Sequence, residues 1–276
     1  MYNISPRTKD PCGGAARFVT KLRSLSRPGS GDPLVLFSGD AFNPSIMSTV
    51  TKGSQMPPVL NKCNVGVAVY GNHEFDFGSL NLISQLTKSK FLNFGSNIIL
   101  NENLVHSDLG CFTPGDILPG VTKYHTFEVT SSSSSSSQED VTVKVGILGV
   151  CTDSTPKLSH PTDLVKFEDP VKEAVDMATF LREEEKCDVV IALTHVSIAQ
   201  DKLIAEKSDI DFILGGHEHT PFLLNHRGTM ILKTGQDADH VGVIDFVVKK
   251  MDVDDETGLV SHSLQLISTC GVTPDH

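Results

Sequence analysis

Side chains that bind divalent metal ions follow four strand-like apolar runs of the chain. Each run leads into a carboxylate, an amide or an imidazole. In open α/β sheets, ligands bind beyond the carboxyl ends of the strands, so groups placed there by several strands converge although they are far apart in sequence. The runs and the residues that follow them are Leu34–Phe37 with Asp40, Val65–Tyr70 with Asn72, Val189–Leu193 with His195, and Ile210–Leu214 with His217 and His219.

The types of these side chains predict which metals they bind. The carboxylate of Asp40 can bridge two cations with its two oxygens, Asn72 offers a neutral oxygen, and the histidines offer ring nitrogens. This mixed oxygen and nitrogen set suits manganese, zinc, iron or cobalt better than calcium. The spacing of His217 and His219 allows one imidazole to serve each of two metals, and the two glycines before them allow the backbone to approach closely. We therefore expect two divalent metal ions at this site.

Each signal has an ordinary explanation when it is taken alone. An aspartate after a strand is most often a turn or a helix cap, and Asn72 after a glycine fits a turn with positive φ. A single histidine such as His195 is more often a satisfied core residue than a metal ligand. Four such signals in order, each with a metal-binding group, are poorly explained by coincidence, and this co-occurrence favours the metal site.

The elements that position these groups alternate between strand and helix. Helical periodicity covers Ala15–Leu25, Leu80–Lys88 and Pro170–Glu185. Asp169 before the last of these is a helix-start signal, since proline follows it at the first helical position. Two late strand-like runs, Met230–Lys233 and Val241–Val248, follow without an intervening helix. This order predicts an α/β fold with mixed sheets.

Composition argues against several classes of protein. The chain has 276 residues and a formal net charge of −11, which argues against binding a nucleic-acid duplex because a phosphate backbone needs a basic surface. No apolar run is long enough to span a membrane, and Met1–Arg7 lacks the apolar run of a secretory signal. Six cysteines without CxxC spacing predict free thiols in a reducing compartment, so we expect a cytoplasmic location.

A serine run is the most biased segment of the chain. Ser131–Ser137 and the Gln-Glu-Asp that follows lie between two strand-like stretches, Tyr124–Thr130 and Val141–Val150. Polar tracts of this kind connect elements without forming a packed core. We expect a flexible surface loop at residues 131–140.

The ordered motifs resemble those of the calcineurin-like metallophosphoesterases. The motifs that carry the resemblance are Gly39–Asp40, Gly71–Glu74, Thr194–His195 and Gly215–His219. Further segments resemble the 5′-nucleotidase branch of that family, namely Gly13–Arg17, Gly39–Phe42, Ser48–Gly53 and Gly71–Asp76. The resemblance implies a four-layer α-β-β-α sandwich with two mixed β-sheets and a dinuclear metal site at the sheet edge.

The resemblance also implies a role for each metal-binding residue. Asp40 would bridge the two metals. Asn72, His195 and His217 would complete one site, and His219 would bind the other metal.

Two residues of the same motifs are implied in catalysis and not in metal binding. His73 would stabilise or protonate the phosphoryl transition state, and Asp76 would orient it. The implied reaction is hydrolysis of a small phosphorylated substrate, such as a nucleotide, by in-line attack of metal-bound hydroxide.

The sequence departs from the family's pattern near both ends. The family opens with a strand that carries Asp-x-His, and nothing before Gly13 has that pattern, although Tyr2 stands near the histidine position. Two explanations stay open: the chain is truncated at a central strand, or its first metal site is reduced to Asp40 and His219. We expect residues 1–250 to form the catalytic domain without its first strand. Residues 251–276 would form a C-terminal strand or linker, and the family's nucleoside-binding domain would be absent.

Two other functions stay open at this point. The substrate could be a sugar phosphate, a phosphodiester or another small organic phosphate, because no aromatic platform for a base can be assigned. The chain could instead be a binding scaffold that keeps the fold without activity, which the missing first motif favours. The presence of His73 together with Asp76 favours the enzyme.

Overall fold

The structure, a computed structural model, describes residues 3–4, 10–26, 32–101, 113, 115–130, 141–250 and 257–274. The helices are α1 (Ala15–Leu25), α2 (Ile46–Thr51), α3 (Met56–Lys62), α4 (Ser79–Leu86), α5 (Thr155–Leu158), α6 (Pro170–Glu183) and α7 (Ile198–Lys207). The strands are β1 (Asn3–Ile4), β2 (Pro11–Cys12), β3 (Val35–Phe37), β4 (Val65–Val69), β5 (Leu92–Phe94), β6 (Ile98–Leu100), β7 (Tyr124–Thr130), β8 (Thr142–Cys151), β9 (Val165–Phe167), β10 (Val189–His195), β11 (Phe212–Gly215), β12 (Phe222–His226), β13 (Thr229–Lys233), β14 (His240–Lys250) and β15 (Thr257–Ser268). A 3-10 turn, Asn72–Phe75, follows β4.

The larger sheet has six strands in the order β12-β13-β11-β10-β8-β7. Strand β10 runs parallel to β8 and β11, whereas β7 and β12 are antiparallel additions at the two edges. The side chains of β10 alternate between two core clusters, with Val189, Ile191 and Leu193 in one and Val190 and Ala192 in the other. Both faces of this sheet are therefore covered, which explains why β10 is apolar along most of its length.

A second, smaller sheet packs on the face of the larger sheet that carries Val189, Ile191 and Leu193, which is its inner face. Its parallel strands β3, β4 and β5 contribute Val67 and Val69 to the same cluster as Ile191 and Leu193. Residues of α1 and α3 cover the other side of this sheet. Residues of α6 and α7 cover the outer face of the larger sheet. The layers follow the order helix, sheet, sheet, helix, and the predicted α/β sandwich is confirmed.

A long hairpin of β14 and β15 closes the inner core. Its strands pair antiparallel from His240 opposite Ser268 to Lys250 opposite Thr257. Ile244, Phe246 and Leu264 pack against the cluster between the two sheets. The strand after residue 250 therefore contributes to the core.

Helix boundaries agree with local signals where those signals are strong. Helix α6 begins where predicted, because the Asp169 carboxylate accepts hydrogen bonds from the backbone N–H groups of Val171 and Lys172. Helix α7 is not anticipated by periodicity, because its apolar residues are scattered around the helix and do not form one face. A capping box between Ser197 and Gln200 marks its start and is the local signal that could have revealed it.

The prediction of free thiols is wrong for one pair of cysteines. Cys12 and Cys270 form a disulfide that joins β2, before α1, to the segment that follows β15. Cys63, Cys151 and Cys187 are free and buried. The two bonded residues are 258 positions apart, so no local spacing indicates the bond, and only the fold brings them together. Disulfides persist mainly in oxidising compartments, and the cysteines therefore no longer support the expectation of a cytoplasmic location.

Some of the sequence predictions fall outside the described residues. The serine loop at 131–140, the position of Tyr2 and one of the six cysteines, Cys111, are among them. Within the described ranges, no helix combines the length and the apolar character that crossing a bilayer requires.

Candidate metal centre and active site

The carboxyl ends of β3, β4, β10 and β11 bring the predicted site residues to one place. Asp40 lies beyond β3, and its Oδ1 accepts a hydrogen bond of 2.9 Å from the backbone N–H of His73, beyond β4. Its Oδ2 lies 3.0 Å from Nε2 of His195, the last residue of β10. The rings of His195 and His217, the latter beyond β11, have centroids 5.1 Å apart. Residues from all four predicted strand ends therefore meet, as the parallel arrangement within each sheet requires.

The imidazole of His195 is fixed for metal binding by its other nitrogen. Nδ1 lies 2.7 Å from the carbonyl oxygen of Ser38, and a carbonyl only accepts hydrogen bonds, so Nδ1 carries a proton. In the neutral ring Nε2 then has a free lone pair. A backbone carbonyl that fixes the tautomer in this way is the usual companion of a metal-binding histidine.

Two buried polar atoms lack partners at this site. Nε2 of His195 and Oδ1 of Asn72 make no hydrogen bond, although His195 is 1% exposed and Asn72 3% exposed. The contact between Nε2 and Asp40 Oδ2 is close without the alignment of a hydrogen bond. Buried polar atoms are normally paired, and a divalent cation would satisfy an imidazole nitrogen, an amide oxygen and a carboxylate at once. The residues present therefore fit a metal ion.

Charge coupling holds the Asp40 and His195 pair together. Burial opposes ionisation of both groups, but the His195 ring lowers the pKa of Asp40 and the Asp40 carboxylate raises the pKa of His195. Imidazole binds metals in its neutral form, so protonation of this pair would compete with metal binding.

His217 and His219 differ in how far the fold brings them to the centre. His217 is partly buried and has a left-handed backbone, with φ of 76°. Burial and the proximity of His195 lower the pKa of His217, which favours the neutral ring that binds metals. His219 is exposed and makes no hydrogen bond, ion pair or ring contact with the other candidate ligands. Within the described residues, no three His, Cys, Asp or Glu side chains form a ready-made cluster for a metal. The structure thus gathers Asp40, His195 and His217 with Asn72 and leaves His219 at the rim.

His73 and Asp76 form a hydrogen-bonded pair beside these residues. Nδ1 of His73 lies 2.7 Å from Oδ2 of Asp76. The carboxylate of Asp76 also accepts hydrogen bonds from Asn43 Nδ2 at 2.5 Å and from Ser159 Oγ at 2.6 Å. With Nδ1 engaged, Nε2 is the nitrogen that His73 can offer to another molecule. Asn43 and Ser159 were not identified from the sequence, because neither belongs to a strand-end pattern of metal-binding groups.

Glu74 is a further residue that the motif reading did not assign. Its buried carboxylate accepts hydrogen bonds from the backbone N–H groups of Asp40, Ala41, Phe42 and Gly71, at 2.6–3.1 Å. Burial and the nearby Asp40 carboxylate raise the pKa of Glu74 to about 7, against the effect of these donors. Glu74 therefore joins the loop after β3 to the turn after β4. An acidic residue directly after Asn72 and His73 was the only local signal for it.

Glycines provide the space in which the loops meet. A Cβ on Gly39 would lie 2.6 Å from both Gly71 N and His195 Nδ1, and one on Gly71 would lie 2.7 Å from His195 Cε1. A Cβ on Gly216 would lie 2.8 Å from His195 Nδ1. Real Cβ contacts almost never fall below 3.0 Å, so a larger residue would push the loops apart. The predicted close backbone approach is confirmed at Gly216, where an added Cβ would lie 2.2 Å from the Ser38 carbonyl oxygen, whereas at Gly215 it would meet side chains.

The chain matches known proteins over most of its length. Residues 10–221 match the family described as calcineurin-like phosphoesterase. The 5′-nucleotidase of Homo sapiens is 32% identical over 213 residues, which cover 75% of this chain and 33% of that protein. The snake venom 5′-nucleotidase of Gloydius brevicauda is 32% identical over 213 residues, covering 77% of this chain and 33% of that protein. The chain thus spans about a third of the length of the curated relatives it matches.

A solved structure supports the fold independently. A calcineurin-like phosphoesterase from Bacillus subtilis superposes with a TM-score of 0.75 at 21% identity, covering 95% of this chain and 84% of that chain. At this identity the likeness concerns the fold alone. The family match and the relatives above 30% identity go further than the fold, and the family match, residues 10–221, includes the residues gathered at the strand ends. The chain belongs to the calcineurin-like phosphoesterase family.

Proposed function

We propose that the chain is the metal-binding catalytic part of a phosphomonoesterase that resembles the 5′-nucleotidases. One observation carries the proposal: the His73–Asp76 pair adjoins the Asp40–His195 contact, through the hydrogen bond from His73 N to Asp40 Oδ1. A proton donor beside a set of metal ligands is the equipment that phosphate ester hydrolysis requires. A binding scaffold has no need of an oriented histidine, which disfavours that alternative.

The proposed ligands would form one metal site with four ligands, the better-supplied site, and a second site with only two. Asp40, Asn72, His195 and His217 would hold one divalent cation, and Asp40 with His219 would contribute to a second. Bound divalent cations supply Lewis-acid activation of water and neutralise charge on the phosphoryl oxygens. Manganese, zinc, iron and cobalt all suit the donor set.

His73 is positioned to move a proton at its Nε2 atom. Asp76 stabilises the charged imidazolium through Nδ1, and Asn43 and Ser159 prevent the carboxylate from turning away. A protonated His73 can then donate to the leaving oxygen of the substrate or stabilise charge that develops on the phosphoryl group. The pair therefore acts on the transition state and leaves metal binding to the other residues.

The proposed substrate is a nucleoside 5′-monophosphate. The named activity of the relatives supports this choice, although this chain spans only part of their length. The domain boundary predicted at residue 250 remains a proposal, and β15 beyond it packs with β14.

Hydrolysis by the Mn²⁺-loaded chain tests the proposal. Release of inorganic phosphate is measured from AMP, a hexose phosphate and p-nitrophenyl phosphate, with bis(p-nitrophenyl) phosphate as the diester control. We expect turnover of the monoesters with a higher kcat/KM for AMP, and loss of turnover in His73→Ala. A preference for the diester or the hexose phosphate would contradict the proposed substrate, and absence of hydrolysis of all four would favour the scaffold.

A further inference from the structure

Lys233 is a fully buried lysine at the carboxyl end of β13. Its side chain is 0% exposed. The ammonium donates hydrogen bonds to the carbonyl oxygens of Val196 at 2.6 Å and Gly216 at 2.7 Å, and to the Glu218 carboxylate. Its Nζ also lies 2.8 Å from Oδ2 of Asp201, which is equally buried. An ammonium has three N–H donors, so three hydrogen bonds and one ion pair use its full capacity.

The groups that surround the ammonium flank the proposed metal ligands. Val196 follows His195 directly, and Gly216 directly precedes His217. Glu218 stands between His217 and His219, and its other carboxylate oxygen accepts a hydrogen bond of 2.6 Å from the N–H of Ile198. One side chain therefore joins the loop after β10 to the loop after β11.

Asp201 extends the same connection to β10. Its Oδ1 accepts a hydrogen bond of 2.8 Å from Oγ1 of Thr194, which directly precedes His195. Burial raises the pKa of Asp201, and the Lys233 ammonium opposes that effect. Both sequence neighbours of His195 are therefore connected to Lys233. Val196 accepts a hydrogen bond from Lys233 directly, and Thr194 is connected to it through Asp201.

The surroundings are shaped for the lysine. A Cβ on Gly215 would lie 2.8 Å from Cε of Lys233, so the glycine at this position gives the lysine stem its space. Lys233 pairs in register with Gly215 across β11 and β13, which places its side chain at the sheet edge where the ligands stand. An apolar residue would fill this space at a lower cost of burial. The buried ammonium of Lys233 is better explained by its hydrogen bonds to the loops after β10 and β11.

We propose that Lys233 is a positioning residue of the metal centre, which holds the His195 loop and the His217 loop in the relative arrangement that metal binding requires. The inference rests on the proposed metal site and deepens it. Groups outside the ligand set that orient metal ligands typically contribute 10–100-fold to metal affinity. Lys233 acts through backbone carbonyls on two loops at once, so its removal should affect both.

The test compares Lys233→Met with a matched variant at the other end of the same strands. Arg182 lies at the amino ends of β10 and β11, where it donates hydrogen bonds to the carbonyls of Cys187 and Asp188 and pairs with Asp211 at 2.6 Å. Lys233→Met removes the cation beside a buried carboxylate and Arg182→Met removes the cation beside a half-buried one, and both should lower the thermal unfolding midpoint. Only Lys233→Met should weaken binding of Mn²⁺, by about tenfold or more in a titration of the full chain.

Hydrogen exchange of the metal-free chain gives a second readout that does not depend on activity. We expect faster exchange in peptides that cover residues 194–200 and 214–220 in Lys233→Met, and unchanged exchange there in Arg182→Met. If Lys233→Met does not fold, Asp201→Asn keeps the shape of its side chain and its contact with Thr194 while it removes the charge, and a smaller change in the same direction is expected.

The outcomes separate this inference from the proposed function. A chain that binds Mn²⁺ without hydrolysing phosphate esters would contradict the proposed function alone, and the comparison of variants would still decide the role of Lys233. Mn²⁺ affinity within twofold of wild type in Lys233→Met, with unchanged exchange of both loops, would overturn the inference alone. A wild-type chain that binds no Mn²⁺ would overturn both.

Discussion

Nε2 of His195 lies 3.0 Å from Oδ2 of Asp40, across the gap between the two sheets of the sandwich. Asp40 follows β3 of the smaller sheet, and His195 ends β10 of the larger one. The carbonyl of Ser38, two residues before Asp40, fixes the proton on the other nitrogen of His195. One segment therefore supplies both a proposed metal ligand, Asp40, and the carbonyl group that orients the next proposed ligand, His195.

We expect His195→Ala to abolish metal binding at the better-supplied site. The substitution removes a buried nitrogen that we propose as a ligand, so Mn²⁺ affinity should fall by more than about 100-fold, beyond the usual effect of groups that only orient ligands. Titration with Mn²⁺ and metal analysis after gel filtration measure this. The control is His226→Ala, because His226 pairs with Glu206 on the surface. Unchanged metal content in His195→Ala would remove His195 from the ligand set.

His73→Ala should lower kcat and leave metal content unchanged. A side chain that donates a proton or stabilises charge in the transition state typically contributes about 10²–10⁴-fold. Steady-state rates with p-nitrophenyl phosphate, alongside metal analysis of the same preparation, provide the measurement. A variant that loses metal would instead identify His73 as a ligand.

Asp76→Asn tests whether His73 and Asp76 act as a unit. The amide cannot stabilise the imidazolium as the carboxylate does, so kcat should fall by about 10²-fold or more. Residues that act together have non-additive effects, and the double variant His73→Ala with Asp76→Asn should be no slower than His73→Ala alone. Additive losses in kcat would show that Asp76 acts independently of His73.

Glu74→Ala should destabilise the chain because it leaves four backbone N–H groups without an acceptor, two of them in buried hydrogen bonds. Each unsatisfied buried group costs about 1–3 kcal/mol, so the free energy of unfolding should fall by about 3 kcal/mol or more. Urea denaturation followed by circular dichroism measures it. Glu128→Ala, at an exposed position of β7, is the control and should change stability by less than about 0.5 kcal/mol. Equal stability of the two variants would show that Glu74 does not hold the loops together.

Reduction of the Cys12–Cys270 disulfide should lower thermal stability. A disulfide that closes a long loop typically contributes about 2–4 kcal/mol by restricting the unfolded chain. A dithiol reductant should lower the unfolding midpoint of the wild-type chain to that of the double variant Cys12→Ser with Cys270→Ser. The reductant should leave the double variant itself unchanged, and a fall in its midpoint would mean that the reductant acts elsewhere.

Local sequence was sufficient to predict the class of the fold and to point to most residues of the candidate site. The apolar runs of β4, β10 and β11 and the groups that follow them indicate parallel strands with metal-binding residues at their carboxyl ends, because the periodicity of a strand and the position of its end are local properties. The confirmed α/β sandwich and the approach of Asp40, Asn72, His195 and His217 follow from that pattern.

Because sequence patterns are local, they did not predict helix α7. The apolar residues of helix α7 do not form one clear stripe along the sequence, and the fold buries Ile204 and Ala205 in the core on the outer face of the larger sheet. Local sequence is a weak guide to whether a segment is helical, and packing against residues distant in sequence can override it.

The sequence by itself determined which chemical groups this protein can bring to a site, since each group stands beside its own strand. Only the tertiary structure decided how those groups are held. The bond between Cys12 and Cys270, the three N–H groups after β3 that donate to Glu74, and the hydrogen bonds from Lys233 to two loops all depend on contacts between segments separated in the chain. Such contacts leave no periodic trace in the sequence, because they form only when the two sheets pack and bring the loop backbones within hydrogen-bonding distance.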